Sequence, residues 1–306
     1  MPLAARITDN HACPMVTPGT PPVPHVGGPI ITGMPTVTIG GLPAARVSDK
    51  AVCVGPVDAI AQGATTVLFG GLPAARVLDL CIHGGTITTG CPTVTIDGPA
   101  TPTASLLLAL RLLRTGGSGD VSDEALVAQE LAKMPPSMLQ AMIDQGVHVV
   151  ACRGSVTDYR ADLRGVAPRG WPPGSTWDTV PGAYMPDTHE VAIAVTGYGT
   201  PAGPHVPQTG EGHASANLVI HESTHAVDHA PGGDRSATDP NFTAARTGDL
   251  GGLPAYERQA GSAGAEETYA ESAARYYGGD SHDAANHPNL HGYWSGDPVA
   301  PPPAGP

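Results

Sequence analysis

A motif that returns three times constrains this chain more than anything else in it. Pro2-Leu-Ala-Ala-Arg6-Ile-Thr-Asp9 recurs as Leu42-Pro-Ala-Ala-Arg46-Val-Ser-Asp49 and again as Leu72-Pro-Ala-Ala-Arg76-Val-Leu-Asp79. Between the copies lie Gly33-Met-Pro-Thr-Val-Thr-Ile39, Gly63-Ala-Thr-Thr-Val-Leu-Phe69 and Gly90-Cys-Pro-Thr-Val-Thr-Ile96. Each is a short β-branched run bounded by Gly or Pro, which reads as a strand. The pairs Gly40-Gly41 and Gly70-Gly71 supply tight turns before the next copy. Three such units in residues 1–98 predict a small all-β structure with pseudo-threefold symmetry. Its core is too thin to stand alone without a staple.

The repeat itself suggests the staple. Aligned on the following strand, the connecting loops place His25, Cys53 and His83 at equivalent points. A pseudo-threefold axis would bring all three to one apex. His11, in the long first loop, completes a tetrahedron and gives a closed structural His3Cys zinc site. Cys13 is the rival fourth ligand, because it follows its Asp by the same interval as Cys53 and His83. Plain loop histidines and a buried free thiol are the bland alternative. Cys81 and Cys91 read as small packing residues, and with Cys152 the cysteines number five. An odd set suits metal ligation or a reduced compartment better than closed disulfides.

Beyond the repeats the character of the chain changes. Its 306 residues suffice for two domains of ordinary size. Residues 99–120 read as a linker, with a short helix in the Leu-rich run Ser105 to Arg114 and a flexible Gly/Ser joint from Thr115 to Asp120. Residues 121–306 read as an α+β domain. Helices are expected over Ser122 to Lys133 and Met138 to Ile143, and strands over Val147 to Cys152 and His189 to Val195. The second strand is the candidate edge of a cleft that pairs with an extended substrate. The loop Gly165 to Asp187 and the tail, with His282, His287, His291 and a final Pro-rich stretch, read as irregular. The formal charge of −13 argues against a nucleic-acid backbone as partner. The start, Met1-Pro-Leu-Ala-Ala-Arg6, lacks the basic and apolar regions of a signal peptide. The Leu-rich run is too short and too charged to span a bilayer.

The chemistry concentrates in His221-Glu222-Ser223-Thr224-His225. Positions four apart share a helix face, so His221 and His225 can reach one zinc ion together. Glu222 is then placed to act as general base on water at the metal. Ser215 can cap an early turn of this helix. The bland reading is a surface helix that happens to carry two histidines. Catalytic zinc needs a third ligand, and the helical run Ala265 to Arg275 carries Glu267 and Glu271 on one face. A solvated acidic face is the alternative there.

At these residues two resemblances appear. The segment from His221 to Asp228, Tyr256-x-Arg258 and Glu267-x-x-Ala-Glu271 resembles the zinc-protease domain of anthrax lethal factor and its relatives. That resemblance implies a gluzincin-type metallopeptidase, with Glu267 as third ligand, Glu271 supporting a ligand histidine and Tyr256 stabilising the oxyanion. Tyr198 is the substitute for the last role. The repeats resemble the PAAR family, whose members form a zinc-tipped cone on the trimeric VgrG spike of type VI secretion. That implies secretion without a signal peptide from the cytoplasm into a target cell. The implied partners are VgrG, a cognate immunity protein, a dedicated chaperone and a protein or peptide substrate. Two zinc ions are expected, one structural and one catalytic. The leading expectation is therefore a secreted effector carrying a zinc endopeptidase. The alternatives are a spike-tip adaptor with an inactive zincin-like domain, or a zinc hydrolase acting on cell-wall peptide.

Overall fold

The computed structural model describes residues 1–98, 102–168 and 174–300. The final Pro-rich stretch, part of the Gly/Pro/Trp loop and the first residues of the expected linker lie outside that range. The chain divides into two compact units. One comprises Met1–Leu110 with Asp120–Gln129, and the other Arg111–Gly119 with everything from Glu130.

The first unit is built by threefold repetition, as the motif requires. Ala5, Ala45 and Ala75 close a ring of backbone hydrogen bonds. The Ala5 amide donates to Ala75 O at 2.9 Å, Ala75 to Ala45 O at 2.9 Å, and Ala45 to Ala5 O at 3.0 Å. Only a side chain as small as alanine fits so near an axis, and all three are fully buried. Ile30, Ile60 and Ile87 pack against that ring. Each copy then turns through a residue with positive φ, namely Thr8, Ser48 and Leu78 at 73°, 74° and 75°. Each turn is clamped by an Arg–Asp pair, Arg6–Asp9, Arg46–Asp49 and Arg76–Asp79, at 2.9, 3.2 and 2.9 Å. Gly40-Gly41 and Gly70-Gly71 both have positive φ, the conformation of a type I′ hairpin turn, which glycine adopts without strain.

Residues Asp120–Gln129 belong with this unit rather than with the domain expected to start at 121. Val121 and Ala125 pack on Val47 and Ala59, and Lys50 Nζ lies 2.8 Å from Asp120. The apolar face of the helix Val121–Leu131 accounts for this: it needs a surface to cover, and the repeats provide one.

The second unit centres on a four-stranded sheet in the order Leu113–Thr115, His148–Arg153, Glu190–Val195, Gly182–Met185. The first three strands are parallel and the last is antiparallel. Two expectations change here. The Gly/Ser stretch expected as a flexible joint is tied down, with the Gly116 amide on Ala151 O at 3.0 Å and Ser118 on Asp158 at 2.8 and 2.9 Å. The strand Glu190–Val195 is interior and not an edge. Its run Val191 to Val195 is buried throughout, as befits a strand covered on both faces. Gly182–Met185 takes the edge.

Helices Leu218–Asp228 and Ser262–Gly278 pack together beside this sheet. The tail expected as loop is helical over Asp283–Asn286 and Pro288–Ser295. Trp294 explains it: the ring is buried against Tyr269 at 4.9 Å, and its indole N–H donates to Ser272 Oγ at 2.8 Å. Among the described residues no helix is long and apolar enough to cross a membrane.

Candidate active site and metal centres

The helix Leu218–Asp228 starts at Asn217, whose side chain accepts from the Ile220 amide at 3.1 Å. Asn217, not Ser215, is therefore the cap, worth about 1 kcal/mol. Ser215 lies just outside and accepts from the Asn217 amide at 3.2 Å. Leu218, Val219, Ile220, Ala226 and Val227 bury one face, which leaves His221, Glu222 and His225 on the open one. The second helix is lined with Ala270, Ala273 and Ala274, small enough to bring its glutamates close.

His221, His225 and Glu267 meet in a triangle. His221 Nε2 is 3.2 Å from His225 Nε2 and 3.4 Å from Glu267 Oε2, and the third side is 3.8 Å. Ligands at zinc bond lengths of about 2.05 Å in a tetrahedron stand about 3.3 Å apart. The donor set and its spacing thus fit one zinc ion with a face left open. Glu271 Oε2 lies 2.9 Å from His221 Nδ1 and accepts its proton, which fixes the tautomer that leaves Nε2 as donor atom. The other Glu271 oxygen accepts from the Ala216 amide at 2.9 Å.

The surrounding carboxylates favour positive charge at His221, so zinc would displace a proton to bind there. Burial lowers the affinity of His221 for a proton, but hydrogen bonds to Glu267 and Glu271 outweigh it and hold the imidazole well above its usual range. Burial and the neighbouring His221 push His225 down to about 4, so that ring is neutral. Burial raises Glu222, with His221 opposing. Glu267 and Glu271 are half-buried, which would raise them, yet bonding to His221 keeps both below the usual carboxylate value.

Two further contacts complete the cleft. Glu222 Oε2 accepts from the Tyr184 amide of the edge strand at 3.0 Å. This partner was invisible in the sequence because it is a backbone group. The Tyr256 hydroxyl donates to Glu267 Oε1 at 2.9 Å. Partial burial of the phenol and the Glu267 charge raise its pKa, so it stays a donor. Tyr198 lies instead with its ring 4.2 Å beneath the Arg153 guanidinium.

In the first unit, Cys13, His25, Cys53 and His83 converge, with one ligand atom of each within 4.8 Å of the others. His25 Nδ1 is buried without a partner, while Nε2 meets Thr17 Oγ1 at 2.7 Å. An orphaned nitrogen beside two cysteines and a second histidine fits a closed zinc site. Burial and Cys13 push the Cys53 thiol up to about 12, so zinc must displace a proton to bind there. His11 is not in this group, contrary to the expected His3Cys set. Its Nδ1 meets Gly28 O at 3.0 Å, and its Nε2 lies 3.2 Å from Asp58 Oδ2, both side chains fully buried. The repeat explains the exchange: Cys13, Cys53 and His83 each follow their Asp by four residues, so the threefold axis gathers those three. His25 enters from the hairpin of Val16–Thr17 and Val23–Pro24 in the longer first loop.

With this geometry in place, the sequence can be compared with known proteins. The chain belongs to the family described as anthrax toxin lethal factor, N- and C-terminal domain, whose model matches residues 120–285. A PAAR motif model matches residues 20–89, so the two are fused in one chain. More particularly, the chain is 35% identical over 144 residues to a Pro-Pro endopeptidase of Paenibacillus alvei. That match covers 46% of this chain and spans 61% of the relative's length. A Pro-Pro endopeptidase of Clostridioides difficile is 31% identical over 169 residues, covering 53% of this chain and 68% of that one. The solved structure of the Paenibacillus alvei Pro-Pro endopeptidase superposes with a TM-score of 0.50 at 30% identity, covering 62% of this chain and 98% of that one. The second unit is accordingly peptidase-like.

Proposed function

We propose that this chain is a zinc-dependent endopeptidase that cuts between two prolines and is carried by its N-terminal unit. The observation that carries the reading is the triangle of His221, His225 and Glu267 with Glu271 behind it. Those three residues would hold the metal, with Glu271 orienting His221. Zinc held there would supply Lewis acidity at the scissile carbonyl and would lower the pKa of nearby water. Glu222, held by the Tyr184 amide, takes the proton of the attacking water and returns it to the leaving nitrogen. A proline nitrogen needs that proton to depart as a secondary amine. Tyr256 donates its O–H to the developing oxyanion. Proline carries no backbone N–H, so at those two positions a substrate offers the edge strand Gly182–Met185 only carbonyls.

The substrate class comes from the relatives named above and is tested with a peptide panel. Peptides containing Pro-Pro should be cut between the prolines, as read by product mass, and matched Pro-Ala and Ala-Pro peptides should survive. Equal cleavage of all three would discard the Pro-Pro reading while leaving a peptidase. Tyr256→Phe should keep zinc content and fold and lower turnover by roughly two to three orders of magnitude. Near-normal cleavage would transfer the oxyanion role to another donor, with Tyr198 the first to test.

The N-terminal unit suits a spike tip seated on trimeric VgrG, with type VI secretion as the route into a competing cell. The PAAR match and the threefold backbone ring support that reading. A toxin of this kind implies an immunity protein in the producing cell and a chaperone that keeps it loadable.

A further inference from the structure

Tyr256 stands in the irregular segment 251–261 and is 59% exposed, yet its neighbour Glu257 is 3% exposed. Both Glu257 oxygens accept from one guanidinium: Arg275 Nη1 to Oε1 at 2.9 Å and Nη2 to Oε2 at 2.9 Å. Arg275 lies one helical turn beyond Glu271 and two beyond Glu267, on the same helix. Its Nη1 is also 3.8 Å from Glu271 Oε1, and its Nε is 3.4 Å from Asp283 Oδ1. The Glu257 carbonyl is held as well, by Arg246 Nη2 at 2.7 Å and by Thr268 Oγ1 at 3.1 Å. Thr268 follows Glu267 directly.

We infer that Glu257 and Arg275 form a positioning pair that holds the Tyr256 phenol over the metal ligands. The inference rests on the proposed role of Tyr256 as oxyanion donor. An exposed tyrosine on an irregular segment samples many positions, and each must be given up in the transition state. Among the described residues the Tyr256 hydroxyl has one side-chain hydrogen bond, to Glu267. A buried bidentate fork one residue away removes that freedom, and its two parallel bonds fix orientation as well as distance. The same guanidinium stands beside Glu271, so the phenol and the carboxylate behind His221 are referenced to one buried group. Lysine could supply the charge but not the fork.

The test uses the zinc-loaded full chain with Glu257→Gln and Arg275→Lys, each alone and combined with Tyr256→Phe. Glu257→Gln should lower kcat by about ten- to a hundredfold, the range for a lost supporting partner, with zinc content unchanged. KM should stay within about twofold, because uniform binding is not removed. Added to Tyr256→Phe, it should cost less than about threefold, because the group it positions is already gone. Hydrogen exchange should quicken at the amides of residues 251–261 and not in the helix Leu218–Asp228. Arg275→Lys keeps the charge and should reproduce these results if Glu257→Gln does not fold. An equal kcat loss with and without Tyr256, or unchanged exchange over 251–261, would overturn the inference. Absence of any peptidase activity in the parent chain would sink the proposed function instead, and the exchange comparison would still decide the anchoring.

Discussion

Glu222→Gln is expected to keep its zinc and to lose peptide cleavage by about 10²- to 10⁴-fold, the contribution of a positioned general base. Glutamine is nearly isosteric and can still accept from the Tyr184 amide, so the fold has little reason to change. What it cannot do is take a proton from water. His221→Ala and Glu267→Ala should behave differently, losing the metal of the second unit along with activity. The contrast separates a group that binds from a group that reacts. If Glu267→Ala kept both zinc and cleavage, the third ligand would have to be found elsewhere. Glu271 and Asp228 are poorly placed for it, since Glu271 is bonded to His221 Nδ1 and Asp228 accepts from the Ser236 amide and hydroxyl. Glu266, next to Glu267, would then be the first to test.

Cys13→Ser should cost the first unit its zinc and its fold. Apparent binding energies of structural zinc run to about 10–16 kcal/mol, more than the net stability of most domains this small. His11→Ala is the informative partner. It should retain the metal but leave Asp58 Oδ2 buried with only the more distant His83 Nδ1 at 3.7 Å, a loss of about 3–5 kcal/mol for a broken buried pair. Native mass spectrometry of both variants reads the zinc count directly, and thermal unfolding reads the stability. Zinc retained in Cys13→Ser and lost in His11→Ala would restore the His3Cys set.

The threefold fold of the first unit was legible because every copy repeats the small residue on the axis, the Arg–Asp turn and the strand. The identity of the fourth apex residue was not, since His11 and Cys13 lie two positions apart in one loop and would share a face, and only the tertiary partners Gly28 and Asp58 draw His11 away. In the second unit, spacing alone placed His221 above His225 and Glu267 before Glu271, because helical periodicity is a property of sequence. The edge strand was not legible. Gly182–Met185 is short, and its position depends on pairing with Glu190–Val195 rather than on its own pattern. The sequence points to Ser215 as cap while the structure has Asn217, two residues later, because the helix starts at Leu218. The tail helices were missed because Trp294 takes its burial from Tyr269 and Ser272, far away in sequence. The Glu257–Arg275 fork has the same origin.

The most direct test of the central claim is cleavage of a Pro-Pro peptide by chain stripped of metal with a chelator and then given back zinc. Activity should vanish on stripping and return when the His221–His225–Glu267 site is refilled, and Glu222→Gln should not recover. Unchanged cleavage by protein verified to be metal-free would contradict it.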